Sequence, residues 1–382
     1  MDFDLSDEQR QLKESVERLL ADAYGDLNKR KGYTQEPKGY SAALWQQYAE
    51  LGILAAPFAE AHGGLGMGLT ETMIVAEGIG RALAVEPYTA TIVLAGGALR
   101  HAGNEALLKE MVPDIAAGQL TLALAHQERQ ARYDIADVAT TARADGKGGF
   151  TLEGEKVVVL GGDSADRLIV SARVSGARAE RGGIGLFLVD AKTNGVTRRS
   201  YPTQDGQHAA DITLSGVKVA PEAVLAGPDK GLEVLERVVD EAMAALSAEA
   251  VGAMAGLTEL TVEYLKTRKQ FGVPIGSFQV LQHRAVDMLT AMEQARSMAT
   301  YATMMAGEPD ASERRRAMAA AKVQIGRSGR FVGESAIQLH GGIGMTMEYK
   351  AGHYFKRLTM IDLAFGDADH HLRELARMGG LS

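Results

Sequence analysis

The hydrophobic residues of this chain change their spacing twice along the sequence, and this change limits the folds available to it. From about Leu5 to Leu120 they recur every three or four residues, as they do on one face of an α-helix. Between Leu120 and Asp229 they alternate as in β-strands, and after Gly231 the helical spacing returns. The sequence therefore predicts an α+β protein that is mainly α.

The same changes of spacing place the domain boundaries. We expect an N-terminal helical domain at residues 1–120, a middle antiparallel β domain at 121–230 and a C-terminal domain like a four-helix bundle at 231–382. Ser6 and Gln9 form the capping-box pattern that opens a first helix. The spacing further predicts helices at 42–51, 70–79, 231–257, 280–305 and 317–339, and strands at 138–142, 150–156, 168–172, 185–189 and 211–214.

Two glycine-rich stretches are interpreted as loops. The run GGLGMG at residues 63–68 follows no β-rich segment and matches no phosphate-loop pattern, so we expect a turn between helices. The basic stretch from Ser175 to Gly183 lies between two predicted strands, which favours an exposed hairpin loop.

Charge and composition exclude several classes of protein. The 41 Lys and Arg residues against 49 Asp and Glu residues give a formal net charge of −8, which argues against nucleic acid or an anionic membrane as a partner. The chain has no cysteine, which excludes disulfides, iron–sulfur clusters and thiolate zinc sites. Its acidic start is unlike a signal peptide and no apolar run reaches about 18 residues, so we expect a cytoplasmic protein.

The segment RKQFG at residues 268–272 ends the first long helix of the predicted C-terminal domain. Arg268 and Phe271 are three residues apart and would share a helical face, which offers a guanidinium group and an aromatic ring to a nucleotide diphosphate. Alternatively, Arg268 caps the last carbonyls of the helix and Phe271 packs in the core.

The segment QLHGGIG at residues 338–344 ends another long helix. Its adjacent glycines, Gly341 and Gly342, allow the backbone to approach a ligand closely, although they would equally suit an ordinary helix C-cap. Carboxylates and histidines also cluster near the C-terminus, but neighbouring residues of a helix point about 100° apart and rarely bind one metal ion. We therefore expect no metal site there, and a helix start at Asp367 and Asp369.

Together, these segments resemble the acyl-CoA dehydrogenase family over essentially the whole chain. The resemblance implies the same helical, β, helical order, FAD as cofactor, and oxidation of an acyl-CoA thioester to the trans-2-enoyl-CoA. Within the family the chain is most similar to the small subunits of pimeloyl-CoA dehydrogenases, which implies a medium-chain or dicarboxylic substrate and an electron acceptor such as electron-transfer flavoprotein. The similar elements are DLSDEQ at 4–9, LGI at 51–53, GGLG at 63–66, GEK at 154–156, RKQFG at 268–272, FQ at 278–279 and QLHGGIG at 338–344.

The resemblance gives this chain no assured catalytic base. In the family a glutamate at one of two positions removes the proton beside the thioester carbonyl. Those positions fall at Phe365 and Ala242, and neither side chain can accept a proton. Glu241 is the remaining candidate, but on a helix it would point about 100° away from Ala242.

The resemblance also implies two halves of a flavin site. In the half that holds a chain's own flavin, Tyr133 replaces a small hydroxyl residue and residues 158–160, VVL, replace a Trp-Ile-Thr strand. The half that reaches a neighbouring subunit's FAD matches well: Arg268 would bind the pyrophosphate and Phe271 would pack on the cofactor. The residues implied to bind FAD are Arg268, Gln270, Phe271, Gln279, Gln338, Gly341 and Gly342.

Three hypotheses follow. In the first, the chain is the supporting subunit of a hetero-oligomeric acyl-CoA dehydrogenase, plausibly with two copies of each chain, and a homologous large subunit brings the base and the thioester pocket. In the second, the chain forms an active homotetramer with Glu241 or another carboxylate as base. In the third, it is a helical scaffold or a nucleic-acid-associated relative that does not catalyse dehydrogenation. The net charge of −8 argues against nucleic acid as its partner.

Overall fold

A computed structural model describes residues 5–379. Residues 1–4 and 380–382 lie outside the described residues, and with them the outer ends of the first and third predicted domains and Asp4 of the DLSDEQ motif. The described chain divides into two compact units. The first contains residues 5–32, Leu69–Val85 and 243–379, and the second contains Tyr33–Gly68 and Glu86–Ala242.

Helices dominate both ends of the described chain and strands its middle, which confirms the predicted order. The helices are α1 (Asp7–Tyr24), α2 (Leu27–Thr34), α3 (Ala42–Glu50), α4 (Leu69–Ala82), α5 (Gly96–Ala102), α6 (Glu105–Ala116), α7 (Gly231–Thr267), α8 (Gln279–Ala306), α9 (Ala311–His340), α10 (Lys350–Leu363) and α11 (Ala368–Arg377). The strands are β1 (Leu122–Ala125), β2 (Thr141–Ala144), β3 (Phe150–Leu160), β4 (Arg167–Arg173), β5 (Ile184–Asp190), β6 (Val196–Pro202), β7 (His208–Val219), β8 (Val224–Ala226), β9 (Lys269–Gln270) and β10 (Val273–Pro274).

The first helix begins as its sequence predicts. The Ser6 hydroxyl accepts a hydrogen bond from the Gln9 amide at 3.2 Å, and the Gln9 side chain accepts one from the Ser6 amide at 2.9 Å. Together these bonds satisfy two of the N–H groups that a helix start leaves unpaired. α1 packs closely on α4 because Gly78 of α4 has no side chain. A Cβ there would lie only 2.7 Å from the side chain of Val16.

The long helices of the first unit surround one apolar core, which confirms the predicted C-terminal bundle. Met254 of α7, Met288 of α8, Val332 of α9 and Leu358 of α10 all belong to it. α9 approaches α10 at Gly333, where a Cβ would lie 2.4 Å from the ring of Phe355. Small residues therefore decide which helices of the bundle come closest.

The second unit contains a sheet in the order β6-β7-β3-β2-β4-β5-β8, with β1 beside β4. Most pairs are antiparallel, as predicted, but β1 and β2 each pair with β4 in parallel, so the sheet is mixed. Parallel pairs need long connections, and the whole of β2 and β3 separates β1 from β4 in the sequence. The core of the sheet includes Leu152, Leu168, Phe187 and Ile212.

The predicted loops are also observed. The run 63–68 links the short 3-10 helix Glu60–His62 to α4, and a Cβ at Gly64 would lie 2.0 Å from the Phe58 carbonyl oxygen. Residues 174–183 connect the antiparallel strands β4 and β5 as an exposed hairpin loop. Within residues 5–379, no helix has the length and apolar character needed to cross a membrane.

Candidate cofactor-binding site

Residues 268–272 form a hairpin that the sequence did not reveal. α7 ends at Thr267, so the prediction that Arg268 and Phe271 share a helical face is wrong. Strands β9 and β10 pair directly, and the two residues between them, Phe271 and Gly272, have φ values of 52° and 83°. Two-residue hairpins require such left-handed turns, and Gly272 adopts one without steric cost.

The hairpin presents its side chains to solvent. Phe271 is 92% exposed, so the alternative that it packs in the core is wrong. Its ring lies edge-on to that of Phe278, with centroids 6.1 Å apart. Arg268 is exposed as well, and its guanidinium makes no hydrogen bond to any other residue among those described. An unpaired guanidinium fork beside an exposed ring is suited to a phosphate with an aromatic group attached.

The second predicted segment lies at the end of α9. Gly341 ends the helix with φ 62°, and its N–H donates to the carbonyls of Gln338 and Ile337, so it is a helix C-cap. A Cβ at Gly341 or Gly342 would meet no atom within 4 Å, which leaves their backbone open to a ligand. The capping and ligand-binding interpretations are therefore compatible.

Ring stacking brings these two segments together within the first unit. Tyr264, in the last turn of α7, stacks on His340, the last residue of α9, with ring centroids 4.6 Å apart. Gln338 is exposed beside this contact, and Gln279 is exposed at the first position of α8. Gln270 is exposed too, although its amide donates to the Lys269 carbonyl at 2.8 Å. All seven residues implied to bind FAD are thus on the surface.

The two positions at which the resemblance implies a catalytic base, Ala242 and Phe365, are both packed into the protein. Ala242 is fully buried, and Phe365, with φ 58°, packs against the core of the first unit. Neighbouring Glu241 is buried in the second unit, where it bonds His101 at 2.8 Å and Arg100 at 3.1 Å, and Arg237 lies 3.7 Å away. These contacts leave little of its carboxylate free to take a proton from a substrate.

The pKa of Glu241 reflects this setting. Burial alone would raise the pKa, but the His101 hydrogen bond and the Arg100 charge outweigh it and hold the pKa below the usual carboxyl value. The carboxylate is therefore ionised and fixed between α5 and α7. The adjacent pair Arg100-His101 at a helix end was the only sequence signal for this cluster, and it was missed.

The segment that replaces the Trp-Ile-Thr strand is occupied by contacts within the chain. β3 bulges between Lys156 and Val159 where it pairs with β7, and Val158 has φ 51°. The Val158 N–H donates to Asp211 at 3.2 Å. Tyr201 also donates to Asp211, at 2.8 Å, and Arg199 forms an ion pair with it.

Asp211 is thus a shared acceptor for three donors. Its burial would raise its pKa, but the bonds from Tyr201, Arg199 and Val158 outweigh that effect and lower the pKa. The Val158 backbone amide is therefore already satisfied within the chain. This segment does not fit the isoalloxazine ring of FAD, whereas the segments at the ends of α7 and α9 fit its ADP part.

Glu128 has a structural partner in the second unit. It lies beyond β1, which ends at Ala125, and its carboxylate accepts hydrogen bonds from the amides of Ala139 and Thr140. Lys156 pairs with it at 2.6 Å and is fully buried. Burial lowers the pKa of Lys156, and the lysine charge overrides burial to lower the pKa of Glu128, so we treat both as ionised at neutral pH.

The acidic and histidine residues of the tail also have structural roles. Asp367 caps α11, where its side chain accepts a hydrogen bond from the His370 amide at 2.7 Å, as the sequence predicts. Within residues 5–379, no group of three or more His, Asp or Glu side chains is arranged to hold a metal ion.

Comparison with known proteins gives consistent matches along the chain. Family models described as the N-terminal, middle and C-terminal domains of acyl-CoA dehydrogenase match residues 6–119, 123–217 and 229–379. A probable acyl-CoA dehydrogenase of Bacillus subtilis, YngJ, is 26% identical over 99% of both chains. The mitochondrial isovaleryl-CoA dehydrogenase of Solanum tuberosum is 27% identical over 95% of this chain and 88% of that protein.

Solved structures with the same fold include two whose names join two different chains. A variant of the Tcur3481-Tcur3483 steroid ACAD is 29% identical, with a TM-score of 0.86 over 98% of this chain and 99% of that one. The ChsE4-ChsE5 complex from Mycobacterium tuberculosis is 25% identical, with a TM-score of 0.88 over 100% of both. The FAD complex of PigA is 26% identical, with a TM-score of 0.88 over 100% of both.

Proposed function

Because this chain belongs to the acyl-CoA dehydrogenase family, whose cofactor is FAD, we propose that it is the supporting subunit of a hetero-oligomeric acyl-CoA dehydrogenase. In this enzyme, two copies of each chain assemble. A homologous large subunit supplies the catalytic base and the thioester pocket. This chain contributes the ends of α7 and α9 to the large subunit's FAD.

The observation that carries the proposal is the exposure of the hairpin. Phe271 is exposed together with Phe278, whose ring it contacts, and a contiguous exposed apolar patch of this kind marks an interaction surface. The neighbouring surface of α8 is also apolar, with Val280 71% and Val286 59% exposed. A subunit that covers this surface would place its own FAD against Arg268, whose fork can bind two phosphate oxygens.

The positions at which the resemblance implies a base also support a partner subunit that carries the catalytic base. Dehydrogenation removes a proton from the carbon next to the thioester carbonyl and a hydride from the next carbon, and FAD accepts the hydride. Ala242 and Phe365 cannot take the proton, and Glu241 is held by its ion pairs. The base must then come from the partner.

The substrate and the acceptor are proposed from resemblance. The likeness to small subunits of pimeloyl-CoA dehydrogenases supports a medium-chain or dicarboxylic acyl-CoA, such as pimeloyl-CoA, in a fatty acid degradation pathway. A similar solved structure is described as a steroid ACAD, which makes a steroid acyl-CoA the second substrate to test. An acceptor such as electron-transfer flavoprotein would reoxidise the flavin.

A spectrum of the purified chain tests the proposal. We expect the chain alone to be colourless and inactive, and to gain FAD and activity only when it is expressed with a homologous large subunit. Bleaching of the flavin by pimeloyl-CoA under argon measures the reaction. One FAD per chain that bleaches without a partner would instead establish the homotetramer, and a loss of that activity in Glu241→Gln would identify its base.

A further inference from the structure

His340 is a buried histidine that packs against two tyrosines. It is 3% exposed, and its ring lies 4.6 Å from that of Tyr264 and 5.1 Å from that of Tyr349, centroid to centroid. The two tyrosine rings are 6.2 Å apart, so the three rings form one cluster. Aromatic contacts at these distances stabilise a defined ring geometry.

The stack joins the segments that present the proposed FAD-binding residues. Tyr264 precedes Arg268 by one helical turn, and its carbonyl accepts the Arg268 N–H at 2.8 Å. His340 directly precedes Gly341, and the following turn folds back on it, because a Cβ at Gly344 would lie 2.9 Å from the His340 Cβ. A movement of the His340 ring would therefore shift both segments relative to each other.

The polar atoms of His340 show that the ring acts by its shape. Nδ1 lies 2.8 Å from the Ala336 carbonyl, so Nδ1 carries a hydrogen and donates it. Nε2 is buried and makes no hydrogen bond among the described residues. Burial lowers the pKa of His340, so the ring is neutral at pH 7.

We propose that His340 is a positioning residue for the cofactor: packed against both Tyr264 and Tyr349, it fixes the distance between Arg268 and the Gly341–Gly342 backbone so that both reach one ADP group. This proposal rests on the proposed function, because it assumes that these segments bind the ADP part of FAD.

The test compares ADP and flavin mononucleotide as probes of the full-length chain by saturation-transfer NMR. His340→Leu removes the stack and should weaken ADP binding by about tenfold, while His340→Phe keeps a flat ring and should stay within about twofold of the original chain. Tyr264→Leu and Tyr264→Phe repeat the comparison from α7. His371→Leu is the control. His371, in α11, is also buried and also forms a hydrogen bond with a backbone carbonyl, that of Phe365.

Several outcomes would overturn the idea. If Arg268→Ala weakens ADP binding but His340→Leu does not, the half-site exists and His340 does not position it. If His340→Phe is as defective as His340→Leu, or if His371→Leu shows the same loss, the effect is not one of ring stacking at the site. If the original chain binds ADP no better than flavin mononucleotide, or if Arg268→Ala changes nothing, the proposed half-site itself fails.

Discussion

The two regions of this chain that we propose as counterparts of a flavin site use their polar groups differently. At the ends of α7 and α9, Arg268 and the Gly341–Gly342 backbone face solvent. In the sheet, the Val158 N–H, Tyr201 and Arg199 all bond Asp211. A group that is already paired within the chain must break that bond to meet a ligand, whereas an exposed group exchanges only water. The first region is open to a ligand, and the polar groups of the second are already paired within the chain.

The same difference predicts how each region should respond to amino-acid substitution. Exposed residues at the first region can be replaced without disturbing a core, so their substitution should change binding and leave folding intact. Residues next to the second region, such as Lys156 and Glu128, are buried and paired, so their substitution should lower the stability of the fold. The following predictions test that separation, beginning with the largest expected effect.

Lys156→Met should destabilise the sheet that carries Val158 most strongly. It would leave the Glu128 carboxylate buried without its cation, which costs about 3–5 kcal/mol of unfolding free energy. Urea unfolding followed by circular dichroism measures the effect. Lys218→Met, at an exposed lysine of β7, is the control and should cost under about 0.5 kcal/mol. A loss below about 1 kcal/mol for Lys156→Met would contradict the prediction.

Arg268→Ala should weaken FAD binding in the assembled enzyme by about 100-fold, because a bidentate arginine–phosphate contact is lost. The unfolding free energy of the chain should stay the same, since the exposed guanidinium makes no hydrogen bond or ion pair with another described residue. Calorimetric titration with FAD measures the binding. Arg327→Ala, also exposed but on α9, is the control and should bind FAD normally. Equal binding by both variants would show that Arg268 is not part of the site.

Glu241→Gln should lower the unfolding free energy by about 1–3 kcal/mol at pH 7 and leave turnover of the assembled enzyme unchanged. The folded pKa of Glu241 is below its unfolded value of about 4.3, so its contribution is present above that pH and is lost as the pH falls through the folded pKa. Urea midpoints from neutral to acidic pH should therefore converge for the two proteins. Loss of turnover would favour the homotetramer instead.

Val158→Gly should have the smallest effect and the opposite sign. Glycine adopts φ 51° without the steric cost that a β-branched residue has, so stability should rise by about 0.5–1 kcal/mol. Thermal unfolding measures the change. Val157→Gly is the matched control one residue earlier, where a buried side chain is removed and stability should fall. If both variants are destabilised equally, Val158 is not strained.

Some features of the candidate site were predictable because they depend only on short stretches of sequence. The glycines at 341 and 342, the segment at 268–272 and the missing acids at Ala242 and Phe365 can all be identified in the sequence. Their exposure could not be predicted, because it depends on which other residues cover them. Phe271 was a core candidate by its side chain alone and is among the most exposed apolar residues described.

The sequence by itself determined the order of helical and β segments, the capping of α1 by Ser6 and Gln9, and the family to which the chain belongs. These follow from residue spacing within a turn or strand, which acts over a few neighbours. Only the tertiary structure decided that β1 lies parallel to β4, that His340 packs against Tyr264, and that Glu241 is bonded by Arg100 and His101. Those contacts join residues far apart in the chain, and burial in the folded protein, not local pattern, gives them their strength.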